Sequence, residues 1–159
     1  LVYGAGKTGL MGAVADGVLS VGGEVVGVIP ELFNTPQLAH HQLTRLEVVP
    51  DMHTRKARLI ELADAMVALP GGYGTFEEFF EALTWAQIGL HNKPIGLLNV
   101  QHYFDPLLAM VSRAQAEGMI YDVHRALFVQ AETPGALLDA LQSHQRPHGL
   151  ESWLTRDPE

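Results

Sequence analysis

Ala65-Met66-Val67-Ala68-Leu69 runs directly into Pro70-Gly71-Gly72-Tyr73-Gly74-Thr75-Phe76-Glu77-Glu78. A short apolar run, a glycine-rich turn and a helix start follow in that order. Glycine lets the backbone approach a ligand, and free N–H groups at a helix N-terminus point at negative charge. The stretch therefore reads as an anion cradle. A carboxylate in the first turns of that helix is held beside the bound anion and repelled by it. Glu77 and Glu78 so placed point to chemistry. Their structural alternative is to complement the helix dipole above a plain tight turn.

Working outward, strand-like and helix-like segments alternate. Leu1 to Tyr3 reads as a strand leading into Gly4-Ala5-Gly6. Residues 9 to 21 carry Leu10, Met11, Val14, Val18 and Leu19 near helical spacing, and Gly22-Gly23 stops that helix. Strands are expected over 24–29, 46–49, 65–69, 94–100 and 126–130. Helices are expected over 52–64, 75–88, 105–117 and 134–143. Phe76, Phe79, Phe80 and Leu83 give the helix after the glycine turn its i, i+3, i+4, i+7 stripe. Apolar strands alternating with helices predict an α/β fold, a Rossmann-like three-layer sandwich with a mainly parallel sheet. Ligands in such sheets bind at the carboxyl ends of the strands. Gly4 to Gly12, Pro30 to Asn34, Asp51 to Lys56 and Gly71 to Glu78 all follow strand ends, so they are expected on one rim.

Composition narrows the function. The chain has 159 residues, enough for one core; 47% are hydrophobic and 18% charged, as in ordinary globular domains. A single nucleotide-binding domain over 1–143 is expected, with 144–159 as a loose tail. No apolar run reaches the roughly 18 residues of a membrane span, so no membrane partner is expected. A net charge of −8 argues against a nucleic-acid partner. With no cysteine, disulfides, thiolate nucleophiles and thiolate metal sites are excluded, which fits a cytoplasmic protein. Ten Lys and Arg are present; Arg55, Lys56 and Arg58 fall in one short segment. His40, His41 and His53 lack the spacing of a metal motif, so no metal is expected.

Gly4-Ala5-Gly6-Lys7-Thr8-Gly9 satisfies GxGxxG between a strand and a helix, which invites a dinucleotide reading. The acid expected at the end of the next strand is not clean, because that strand ends Val28-Ile29-Pro30. Gly6-Lys7-Thr8 mimics the end of a P-loop, but Leu1 stands where the first glycine belongs. A loop shaping a mononucleotide pocket fits better.

Asp51-Met52-His53-Thr54-Arg55-Lys56 lies just upstream of the opening stretch. Arg55 and Lys56 point about 100° apart on a helix, so they need not share a target. Arg55, three residues after Met52, can face the rim, where a guanidinium can fork between phosphate and carboxylate. With Pro70 to Glu78, this segment resembles the LONELY GUY family of nucleotide phosphoribohydrolases, which carries PGGxGTxxE and DMHxRK-type motifs. Leu1 to Gly12, Thr84-Trp85-Ala86-Gln87-Ile88-Gly89 and His91 to Pro94 extend the resemblance to roughly residues 1–130. The family has a further strand and helix ahead of the position of Leu1, so the resemblance implies that these are missing here.

The resemblance implies Arg55 and Glu78 as the catalytic pair. Met52 and Lys56 would bind substrate beside Arg55. Gly71, Gly72, Gly74 and Thr75 would hold its 5′-phosphate. Glu77, Tyr73 and Thr84 complete the implied set, Tyr73 packing on a base or closing the loop. Thr84 on residues alone suits a structural role equally. The implied reaction is hydrolysis of the N-glycosidic bond of an adenosine 5′-monophosphate, plain or N6-modified as in cytokinin activation, giving free base and ribose 5-phosphate. No cofactor is implied. The family's older lysine decarboxylase label needs a pyridoxal-phosphate lysine; Lys7, Lys56 and Lys93 are the only lysines, and none has that context. A homodimer is implied too, consistent with Phe79, Phe80, Leu83, Trp85 and Ile88 covering more than one stripe of a helix. The non-enzyme alternative is a nucleotide-binding regulatory module with the same cradle and no hydrolysis; a dinucleotide oxidoreductase stands third.

Overall fold

A computed structural model describes residues 1–150. Its contacts divide the chain into two compact units, Leu1–Ala63 and Asp64–Glu159.

The first unit runs β1 (Val2–Tyr3), α1 (Gly9–Ser20), β2 (Val26–Pro30), β3 (Arg45–Val49) and α2 (Met52–Leu62). Its strands are parallel in the order β1-β2-β3, with Val2 opposite Val26 and Val26 opposite Arg45. Successive side chains of an extended chain point to opposite faces. Tyr3 packs with Ala15 of α1 and with Val25. On the other side, a Cβ at Gly4 would run into Arg55 of α2. The two helices therefore cover opposite faces of this sheet. Gly22 ends α1 as the spacing predicts. It holds φ +77°, its N–H reaches Leu19 O at 3.0 Å, and Gly23 N–H reaches Val18 O at 3.0 Å. That pair of bonds is a Schellman turn.

The second unit runs β4 (Met66–Ala68), α3 (Tyr73–Gln87), β5 (Ile95–Leu98), α4 (Asp105–Ala116), α5 (Asp122–Arg125), β6 (Phe128–Ala131) and α6 (Pro134–Ser143). The order β4-β5-β6 is again parallel. All four residues of β5 are buried, as a strand covered on both faces requires. Ile95 and Leu97 enter a core with Phe79, Ala82 and Ala86 of α3, Phe104 and Phe128. Leu98 instead meets Leu137 and Leu141 of α6. An added Cβ at Gly96 would touch Leu137 Cδ1 at 2.9 Å. Each unit is thus helix, parallel sheet, helix. This is the α/β, Rossmann-like layering that the alternation predicts.

Departures from the sequence reading are local. α3 begins at Tyr73 rather than Thr75, because Gly72 serves as its N-cap. The four-residue α5 is not foreseen. Part of the segment expected to be a loose tail is packed: Leu150 is 1% exposed within the main core, and His124 Nε2 donates to its carbonyl at 3.2 Å. Residues 151–159 of that segment lie outside the described residues.

His91, in the turn between α3 and β5, is buried. Its Nε2 pairs with Ala82 O at 2.9 Å, and its Nδ1 accepts the Lys93 N–H at 3.2 Å. One nitrogen donates and the other accepts, so the ring is neutral as bonded. Burial pushes its pKa below the ordinary histidine value. A lowered folded pKa means that the unfolded chain takes up the proton first. This contribution to stability is complete above about pH 6.5 and is lost as pH falls through the folded value. An NMR titration should find the His91 midpoint below about 6.5; a midpoint at or above it contradicts this reading.

Candidate active site

In the first unit, Asp51 starts α2 as its N-cap. Its Oδ1 accepts Thr54 N–H at 2.8 Å and its Oδ2 accepts the Thr54 hydroxyl at 3.2 Å. The Thr54 backbone bond, above all, holds the Asp51 carboxyl below the usual carboxylate range. A charged cap of this kind stabilises a helix start. α2 follows β3 directly, so its first turn lies at the carboxyl end of this sheet.

That placement brings Arg55 over the loop after β1. An ideal Cβ built on Gly4 would lie 1.8 Å from Arg55 Nη2 and 2.8 Å from Cζ. Gly4 is a glycine because the guanidinium needs the space. Arg55 Nη1 also lies 3.7 Å from Met52 Sδ, so Met52 and Arg55 do share one side of the helix start. Lys56 is the buried residue of α2. Arg58 pairs with Glu47 at 2.7 Å and with Glu61 at 2.8 Å. Its hydrogen bond and charge lower the Glu47 pKa. The basic segment thus sends Arg55 to the loop after β1, buries Lys56 and pairs Arg58 with two carboxylates.

The GxGxxG loop does not present Lys7 to an anion. Lys7 N–H goes to Leu38 O at 3.0 Å and its ammonium to Pro36 O. Gly6 bridges to Ala39, and His40 N–H reaches Ala5 O at 2.8 Å. The loop is stapled to the segment after β2, which favours the pocket-wall reading over the dinucleotide one. Ala5 holds φ +57°, a costly region for a residue with a side chain, yet it is fully buried among Ile29 and Ala39. His40 joins Asp16 at 2.9 Å and accepts Gln42 N–H at its Nδ1. It is a latch for this segment.

In the second unit, Pro70-Gly71-Gly72 follows β4 and α3 starts at Tyr73. Thr75 folds its hydroxyl back over the turn, so a Cβ on Gly71 would lie 2.2 Å from Thr75 Oγ1. Gly72 and Gly74 differ: among the described residues, and apart from the chain neighbours and the helix's own nearby backbone, nothing lies within 4 Å of a Cβ added to either. Glycine inside a helix costs about 1 kcal/mol relative to alanine. Packing does not repay that at Gly74; close approach of a ligand would. Glu78 stands one turn above Gly74 and is half-buried, whereas Glu77 is exposed. Tyr73 is 93% exposed at the mouth of the turn. Thr84 donates its hydroxyl to Phe80 O at 2.7 Å, a bond within its own helix. Tyr103, which the sequence reading passes over, donates its hydroxyl to Gly71 O at 2.7 Å.

Residues 11–141 match the protein family described as "Possible lysine decarboxylase". The chain is 51% identical over 144 residues to the cytokinin riboside 5′-monophosphate phosphoribohydrolase of Rhodococcoides fascians, covering 90% of this chain and 73% of that protein. It is 46% identical over 148 residues to a probable cytokinin riboside 5′-monophosphate phosphoribohydrolase of Oryza sativa subsp. japonica, covering 93% and 66%. Against a phosphoribohydrolase of the same name from Arabidopsis thaliana it is 41% identical over 157 residues, covering 96% and 74%.

The clash at Gly4 predicts how Gly4→Ala behaves. The atom met is the far end of a flexible side chain, so Arg55 moves and the backbone stays. Stiffening the unfolded chain offsets the cost by about 0.4–1 kcal/mol. The melting temperature should stay within a few degrees of wild type while the Arg55 Nε–H NMR resonance shifts. An unshifted resonance would mean that Gly4 does not set the guanidinium's position.

Proposed function

Since the chain belongs to the LONELY GUY family, the one described as possible lysine decarboxylase, we propose that it hydrolyses the N-glycosidic bond of an adenosine 5′-monophosphate, with N6-modified, cytokinin-type nucleotides as its substrates. The observation that carries this reading is the turn at Gly71 to Thr75, with two glycines that packing does not require and a glutamate one turn above. The bond between C1′ and the base nitrogen breaks. Water adds at C1′, one of its protons ends on the base, and ribose 5-phosphate is released.

The roles follow from charge. Cleavage builds positive charge on the sugar. Glu78 stabilises that oxocarbenium and orients or deprotonates the water. The N–H groups of Gly71, Gly72 and Gly74, with the Thr75 hydroxyl, hold the 5′-phosphate. Arg55 is the second catalytic group; its forked donors orient the anionic substrate. Met52 steadies the Arg55 side chain, and Lys56 adds positive charge from within α2. Tyr73, so exposed in the chain alone, stacks on the base. Glu77 and Thr84 border the site from the outer side of α3. No cofactor takes part. Among the described residues no helix is long and apolar enough to cross a membrane. We assign the cytoplasm as its place of action; a chain without cysteine has no disulfide that would call for an oxidising compartment.

The test is incubation with a panel of nucleoside 5′-monophosphates and their nucleosides, read by chromatography. Free base is expected from the monophosphates and far less from nucleosides, which lack the group that the turn binds. Tight binding without base release would make the protein a regulatory module instead. Glu78→Gln keeps the shape and removes the charge, so turnover should fall at least about 100-fold with folding intact. Near-normal turnover would remove Glu78 from the mechanism.

We further assign a homodimer through α3. Phe79 is spent on the core, meeting Phe128 edge-on at 5.3 Å, but Ile88 is 48% exposed and Leu90 65%. A two-fold contact would cover this end of the helix. Sedimentation at micromolar concentration should show twice the 17.3 kDa chain mass. A clean monomer rejects the dimer.

A further inference from the structure

Tyr103 lies after β5, at 32 residues' separation from the glycine it touches. Its phenol donates to the Gly71 carbonyl at 2.7 Å. A peptide unit is planar and trans, so its C=O and its N–H point in opposite directions. Fixing the Gly71 carbonyl therefore fixes the Gly72 N–H, aimed away from Tyr103. Gly72 is the N-cap of α3. Without a tether, two successive glycines visit both hands of φ, and the peptide between them is free to turn over.

Tyr103 is itself held in place. Its ring meets Phe104 edge-on at 5.1 Å and 86°, and Phe104 is buried. Phe104 N–H is accepted by Asn99 Oδ1 at 2.7 Å, while Asn99 Nδ2 donates to Asp105 Oδ1 at 2.8 Å. Just before it, Gln101 and His102 hold φ +51° and +59°. Two consecutive side-chain-bearing residues in that region cost roughly 1–2 kcal/mol each. The Asn99 bonds and the buried Phe104 hold this turn, and the turn presents the phenol to Gly71.

We propose that Tyr103 is a positioning residue of the phosphate cradle: by tying back the Gly71 carbonyl it aims the Gly72 N–H at the substrate's 5′-phosphate. The inference rests on the assignment of the Gly71–Thr75 turn as the phosphate site. Tyr103→Phe is the probe, because it keeps the ring and its contact with Phe104 and removes only the hydroxyl.

KM for adenosine 5′-monophosphate should rise about three- to tenfold, the worth of one hydrogen bond, with kcat changed less than about twofold. The dissociation constant of inorganic phosphate, read by calorimetry, should rise by the same factor, and the melting temperature should stay within a few degrees. A lower melting temperature with KM and phosphate affinity unchanged marks a structural role and overturns the proposal. If neither protein releases base from adenosine 5′-monophosphate or from an N6-modified one, the hydrolase reading fails, and the phosphate titration still decides Tyr103. Phosphate binding equal in the two proteins, including none in either, overturns it whether or not the wild type turns over.

Discussion

The Arg55 guanidinium and a side chain at Gly4 would need the same space, and Thr75 stands in the same relation to Gly71. Neither glycine holds a positive φ, unlike Gly9, Gly22, Gly89, Gly118 and Gly149. Gly4 and Gly71 therefore serve clearance, whereas the second group serves backbone conformation. Both clearance sites follow the carboxyl end of a parallel strand. At Gly71 the side chain that leans over the turn comes from the helix that follows, α3; at Gly4 it comes from α2, two strands further along the chain. The architecture brings backbone, helix N-terminus and functional side chain together only because these turns carry no Cβ. An alanine at Gly4 would leave the sheet as it is and move the guanidinium away.

Much of this was legible in the sequence because the deciding features are local. α6 is bounded as expected, since Thr133 caps it and Pro134 opens it. Gly22 stops α1 by its own φ. Glu78 stands on the helix that the stripe of Phe76, Phe79, Phe80 and Leu83 predicts. What was not legible depends on contacts far apart in sequence. Nothing near Tyr103 announces that its phenol reaches Gly71, and nothing near Gly4 announces Arg55. Leu150 sits in a polar, proline-bearing segment, yet it is buried in the core cluster that also holds Ile95 and Phe104. α5 is a single turn, too short for periodicity to register. Gly72 as the cap of α3 was hidden by the more familiar start at Thr75.

An acidic protein that binds an anion must place its few cations with care. Glu47 takes both Arg45, at 3.0 Å, and Arg58. Arg45 is exposed, whereas Arg58 holds Glu47 in a half-buried fork of two N–H···O bonds, 2.7 and 3.2 Å. The effect of these pairs is on charge placement, since they neutralise the outer turn of α2 and the adjoining strand. Arg55, nearer the start of the same helix, lies over Gly4. The same helix that looks uniformly basic in sequence thus separates its charges by direction.

In the proposed reaction the position of Glu78 resolves an apparent conflict. A carboxylate near a bound phosphate raises the energy of the substrate complex. That repulsion acts on ground state and transition state alike, because the phosphate does not change as the glycosidic bond breaks. The sugar does change, from neutral toward cationic. An ionised Glu78 therefore interacts more favourably with the transition state than with the substrate, and only such a difference accelerates the step. The amides of the glycine turn offset the repulsion in both states, so the phosphate anchors the substrate while the carboxylate acts on the sugar. On this account, the two glycines that packing does not need and the glutamate one turn above them belong to a single device. The first lowers the cost of holding an anion, and the second uses that hold to place negative charge where positive charge develops.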